Sequence, residues 1–382
     1  MQTLGIHRLA KVRLVNWLAE RTQYLDSSGI RKVFELGAKL TDPIDLSIGQ
    51  PDFDVPQPVR QAAIEAIQSG KNGYSLTQGV PLLRQKLQQR INEQYGHDDR
   101  EVFVTCGTSG GLVLALLVLV NPGDEVIVFD PYFVMYDSLA AVVGGKVVYV
   151  DTYPSFRVDP QRVQKAITPR TKAIILNSPA NPTGVVAGED EVRGLAELAA
   201  RRGVVLISDE VYSSFCYGRQ FVSPARFNPD TLVLDGFSKT YGMPGWRLGF
   251  AHGPKAIIQQ MIKFQQYSFV CAPQPFQWAG AAALDVDTSV YVADYRRKRD
   301  MLLEALREHY ELVTPEGAFY IFPKAPWGTA SEFVARAIEE HQLLIIPGNV
   351  FSRRDTHFRI SYAADDRTLL RGIEALRKLA RR

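Results

Sequence analysis

TLVLDGFSKTYGMPGWRLGF, residues 231–250, decides how the rest of the chain is read. The apolar run Thr231–Leu234 has the composition of a buried strand, and Gly236, Gly242 and Gly245 then break regular structure around Lys239, which follows Ser238. The lysine therefore stands on a loop held by a rigid strand. Eight residues on, Arg247 adds a permanent cation, so an amine and a guanidinium can converge on one small anionic molecule where glycines let the backbone approach. Taken alone, the stretch also describes a surface lysine in a Gly-rich turn.

Upstream, helical and strand patterns alternate. The patterns predict helices over 58–69, 80–95, 110–120 and 189–202, and strands over 101–105, 124–130, 146–151, 172–176, 204–209, 231–235 and 248–251. Strands separated by helices predict an α/β fold with a mostly parallel sheet covered on both faces. Residues 10–40 read as one helix, ended by the Pro-, Gly- and Asp-rich IDLSIGQPDFDVPQPV, residues 44–59. After residue 274 the pattern changes to helices over 275–285 and 288–309, short strands within 311–322, helix 330–341, strands 343–346 and 357–362, and helix 366–380. These make a smaller α+β unit that the N-terminal helix is expected to join.

Three further stretches carry chemistry. CGTSGG, residues 106–111, lies between the strand EVFVT and an apolar helix, where free backbone amides and the helix dipole favour an anion; a purely structural Gly-rich turn is the other reading. Asp209 ends the strand VVLIS, where α/β sheets bind ligands, and it also suits a helix N-cap. Arg359, inside HFRISYA, needs a carboxylate if buried. Its bidentate geometry suits the α-carboxylate of an amino acid, and a structural ion pair is the alternative.

SKTYGMPGWRLG closely resembles the cofactor-lysine segment of fold-type I pyridoxal phosphate enzymes, in particular the class I/II aminotransferases of the aspartate aminotransferase family. Matches run in order from Gly49 to Arg359. The resemblance implies a large cofactor unit over 48–287 and a small one built from 1–47 and 288–382. It implies an aminotransferase in which Lys239 holds pyridoxal 5′-phosphate as an imine and moves the substrate's Cα proton, passing an amino group from an L-amino acid to a 2-oxo acid with ping-pong kinetics.

By the same resemblance, Gly107, Thr108, Ser109, Ser238 and Arg247 hold the cofactor phosphate, and Asp209 keeps the ring nitrogen protonated. Tyr212 and the Asn181 of LNSPANPTG contact the ring's phenolic oxygen, and Phe133 of DPYFVMYD lies against the ring face. Phe133 suits core packing as well. Arg359, Asn181 and the backbone of Gly49 take the substrate. Tyr74, in GYSLTQGVPLLR, reaches the phosphate of a neighbouring subunit, which makes the protein a homodimer with shared sites; a surface or simple interface tyrosine is the alternative. Gly236 is a departure, because many relatives have a hydroxyl three residues before the lysine; Ser238 is the candidate substitute.

Composition narrows the rest. With 382 residues, 46% hydrophobic and 22% charged, the chain is long enough for two domains. A net charge of +3 from 44 basic and 41 acidic residues offers no field for nucleic acid. Three scattered cysteines, Cys106, Cys216 and Cys271, form neither a disulfide framework nor a metal site, and they predict a reducing, cytoplasmic setting. The apolar run Leu112–Val120 is too short for a membrane span. Arg8, Lys11 and Arg13 resemble an organellar presequence, but Glu20, Asp26 and the spacing of Leu14, Leu18 and Leu25 favour an amphipathic helix. Two rivals stand beside this reading. One is a β-C–S lyase or another eliminating enzyme, which shares these cofactor residues. The other is a pyridoxal-phosphate-binding sensor, for which the stretch before Gly49 is too short to hold a winged helix.

Overall fold

The computed structural model describes residues 17–25, 29–97 and 99–381. Its centre is a seven-stranded sheet formed by β2 (Arg100–Thr105), β3 (Glu125–Asp130), β4 (Lys146–Asp151), β5 (Thr171–Asn177), β6 (Val205–Asp209), β7 (Leu232–Gly236) and β8 (Gly249–Pro254). In space the order is β2-β8-β7-β6-β5-β3-β4. All neighbours are parallel except β8, which runs against both β2 and β7. The mostly parallel sheet is therefore as expected, and the reversal of β8 has a local cause. The link from β7 to β8 holds no regular element but the 3-10 turn Pro244–Trp246, so it has no helix to cross the sheet face as a parallel pair usually needs.

The strands bury both faces. On one, Val126, Val128, Ile175, Ile207 and Leu234 pack with Leu112, Leu116 and Met261; on the other, Ile127, Ile174, Leu176 and Leu206 pack with Leu195 and Leu198. Helix Gly107–Leu119 is apolar all round and starts directly after β2. It is a buried helix whose first turn faces the carboxyl end of the sheet. A separate antiparallel sheet joins β11 (Ile346–Pro347), β12 (Phe358–Ser361) and β9 (Tyr320–Ile321) in that order, and β1 (Ile44–Asp45) pairs with β10 (Leu343–Leu344). The N-terminal segment is thus stitched to the last third of the chain.

Most expected helices fall within three residues of their predicted ends, and 189–202, 330–341 and 366–380 coincide with them. Three corrections follow. Residues 10–40 are not one helix: the described part holds a 3-10 helix at Glu20–Tyr24 and a helix at Gly29–Gly37, and residues 10–16 lie outside the described residues. Leu18 and Leu25 are exposed, and Leu14 lies outside the described residues. Helices Val134–Val142, Pro160–Ala166 and Lys255–Ser268 have no counterpart in the expectation. The strands expected within 311–322 reduce to Tyr320–Ile321, since only these two residues pair with β12. Among the described residues no helix is long and apolar enough to cross a membrane.

Candidate active site

The carboxyl ends of β5, β6 and β7, the start of helix Gly107–Leu119 and the middle of β12 surround one cavity of about 250 Å³. Gly49, Thr108, Ser109, Phe133, Asn181, Asp209, Tyr212, Ser238, Lys239, Arg247 and Arg359 all line it. The sequence placed these residues up to 310 positions apart, and the fold brings them together.

Lys239 reaches into the cavity from the loop after β7, and its Nζ donates to the Gly49 carbonyl at 2.6 Å. Burial, then the cations of Arg359 and Arg247, push its ammonium down to about 8, against the opposing pull of Asp209. At pH 7 about a tenth of such a group is a free amine, against about three in ten thousand for an unperturbed lysine. The environment therefore makes a nucleophile of it.

The anion cradle is built from backbone. Helix Gly107–Leu119 has no side-chain cap, so its first amides keep their donors for a ligand. Gly107 has φ +72, and a Cβ there would lie 2.6 Å from Arg247 Nη2, so only glycine lets the guanidinium lie across the turn. Arg247 is anchored by donating to the carbonyls of Pro244 (3.0 Å) and Cys106 (3.4 Å). Thr108 Oγ1 is buried without a partner. The missing hydroxyl at Gly236 finds its explanation here: a Cβ at 236 would meet Thr108 Oγ1 at 2.7 Å, so the Thr108 hydroxyl fills that space. A buried orphan hydroxyl, uncapped amides and a cation fit a phosphate.

Asp209 is buried, and burial raises its carboxyl above the ordinary range, opposed by the Tyr136 hydroxyl, the Val211 amide and Lys239. Its Oδ2 accepts from Tyr136 Oη at 2.7 Å and its Oδ1 from Val211 N at 3.3 Å. Such a carboxylate is stabilised by a ligand cation, as a protonated ring nitrogen would be. Tyr212 is fully packed, and its hydroxyl shares a hydrogen bond with Tyr320 at 2.7 Å. Phe133 lines the cavity edge-on to Tyr136, with centroids 5.7 Å apart.

Arg359 is 1% exposed. Its Nη1 donates to Asn181 Oδ1 at 2.9 Å and its Nη2 to the Ser47 carbonyl at 2.6 Å, while Nε has no partner. Among the described residues it makes no ion pair with a carboxylate. Burying a lone guanidinium is costly unless a ligand supplies the counter-ion.

Gly107 shapes the turn without lining the cavity, and Tyr74 lies outside it, 85% exposed. Sequence reasoning missed Tyr136, Asn177, Tyr320 and Ser47. Asn177, whose Nδ2 donates to the Asp209 carbonyl and whose Oδ1 accepts from Asn181 N, had one available signal: it ends an apolar strand just as Asp209 does.

The family model for class I and II aminotransferases matches residues 41–376. A probable aspartate aminotransferase of Methanocaldococcus jannaschii is 37% identical over 91% of this chain and 95% of its own length. An aromatic-amino-acid aminotransferase of Thermococcus litoralis is 33% identical over 95% of this chain and 98% of its own. Among solved structures, the aspartate aminotransferase of Thermus thermophilus with maleate superposes with a TM-score of 0.90 at 35% identity, covering 95% of this chain and 99% of that one. The fold is that of the fold-type I aminotransferases. The chain belongs to the class I and II aminotransferase family, enzymes that move amino groups.

Proposed function

We propose that this aminotransferase carries pyridoxal 5′-phosphate on Lys239 and passes the amino group of an L-amino acid to a 2-oxo acid in two half-reactions. The observation that carries this reading is Arg359, a buried guanidinium with no carboxylate partner among the described residues, in the same cavity as a nucleophilic lysine and a buried aspartate. When bound, the cofactor ring supplies an electron sink for the charge left at the substrate's α-carbon. Gly107, Thr108, Ser109, Ser238 and Arg247 would hold its phosphate, Asp209 its ring nitrogen, Asn181 and Tyr212 its phenolic oxygen, and Phe133 its face. Arg359, Asn181 and the Gly49 backbone orient the substrate carboxylate, and the Lys239 amine carries the proton at the α-carbon. Division at residues 48 and 287 into a large and a small unit, and a cytoplasmic setting, belong to the same reading; the three free thiols support the setting.

The test is a panel of amino donors offered with 2-oxoglutarate, pyruvate or oxaloacetate, read by formation of the new amino acid. Arg359→Ala should raise KM for donor and acceptor by about 100-fold, as loss of a charge-assisted bidentate contact does. Pyruvate and ammonia released without an acceptor, or an unchanged KM in the variant, would overturn the assignment.

The same reading makes the protein a C2 homodimer in which Tyr74 meets the partner's cofactor phosphate. Tyr74, Leu76, Phe264 and Tyr267 are all exposed, on segments joined by the Gln265 side chain donating to the Thr77 carbonyl at 2.7 Å. An apolar patch of this kind suits cover by a second copy. Co-expressed Tyr74→Ala and Lys239→Ala chains should form heterodimers with one native site and exceed either parent in activity. Verified mixing without gain would remove Tyr74 from the partner's site.

A further inference from the structure

Tyr320 is named by no sequence motif used above, yet it touches three parts of the site. It is 1% exposed on β9, paired with Ser361 of β12, two residues beyond Arg359. Its hydroxyl lies 2.7 Å from that of Tyr212. Its ring centroid is 4.6 Å from the Arg359 guanidinium carbon, with Phe351 at 4.7 Å as a second ring against the same group. Its position is fixed from both sides. A methyl on Gly49 would overlap the Tyr320 hydroxyl, and one on Gly184 would lie 2.6 Å from its carbonyl oxygen.

We propose that Tyr320 is a positioning residue that acts through Tyr212 by its hydroxyl and through Arg359 by its ring. This rests on the reading of the site as a pyridoxal phosphate site. A tyrosine hydroxyl has one proton. Once Tyr212 spends its proton on the cofactor's phenolic oxygen, the short bond to Tyr320 persists only with Tyr320 as donor. Tyr320 then orients the Tyr212 proton toward the cofactor and strengthens that bond through cooperative polarisation of a hydrogen-bonded chain. The ring faces Arg359 and limits the plane in which the guanidinium meets a carboxylate.

The test uses the cofactor-loaded protein and the pH at which its visible band shifts, since a donor to the phenolic oxygen favours the deprotonated chromophore. Tyr320→Phe keeps the ring and should move that pH upward by about half a unit, less than Tyr212→Phe does. The double variant should titrate like Tyr212→Phe alone, because the hydroxyl acts only through Tyr212. Incorporating 3-fluorotyrosine at 320, a stronger donor of nearly the same size, should move it downward. No shift in Tyr320→Phe, or additive shifts in the double variant, overturns the relay. Should Tyr320→Phe fail to fold, the fluorotyrosine titration decides by its sign. Wild-type protein that develops no band with the cofactor would instead refute the cofactor reading itself.

Discussion

Lys239→Ala is expected to bind pyridoxal 5′-phosphate without developing the lysine-imine band, and to lose turnover by on the order of 10⁴-fold or more. Burial of the wild-type Nζ, then the cations of Arg359 and Arg247, bring its ammonium down to about 8 and leave a reactive amine near neutral pH. Among the cavity-lining residues no other lysine is present to take its place. Absorbance during titration with the cofactor, beside steady-state rates, checks both parts. The same band in wild type and variant would remove Lys239 from the centre of the site.

Asp209→Ala should leave the fold intact and lower kcat by about 10³-fold or more, because a ring nitrogen without its carboxylate partner loses its proton and is a poor electron sink. The alanine also removes a carboxylate whose burial is unfavourable and is offset by bonds from Tyr136 and Val211, so thermal stability should change little. Melting by circular dichroism and single-turnover rates separate the two effects. A variant with near-normal kcat would sink the role.

Asp209 and Arg359 were legible because each is a polar residue at the end or middle of an apolar strand, and Lys239 because it stands in a Gly-rich loop just after one, signals contained in a few neighbouring letters. The cradle was legible for the same reason, as a Gly-rich link between strand and helix. Tyr136, Tyr320 and Ser47 were not, since their meaning lies in pairings 73, 108 and 312 residues long, which local pattern does not encode. The reversal of β8 could have been read from the lack of a helix between Gly236 and Gly249. Helix Lys255–Ser268 also had a readable stripe, Ile258, Met261 and Gln265 at spacings of three and four. The N-terminal stretch misled because its leucine spacing is amphipathic while the described leucines face outward.

The Lys239 contact with the Gly49 carbonyl, the Arg359 contacts with Asn181 and Ser47, and the Tyr212–Tyr320 pair share one consequence. These polar arms already rest on stand-ins supplied by the chain, so at them a ligand enters by trading partners. Trading one neutral acceptor for another gains almost nothing, whereas trading a backbone carbonyl for a carboxylate gives the guanidinium a counter-ion, an ion pair in place of a charge–dipole bond. Amide and alcohol analogues of an amino acid would therefore only break even at Arg359. On the proposed function, the stand-ins would act as a threshold that charge must exceed, favouring acids before any part of the side chain is felt.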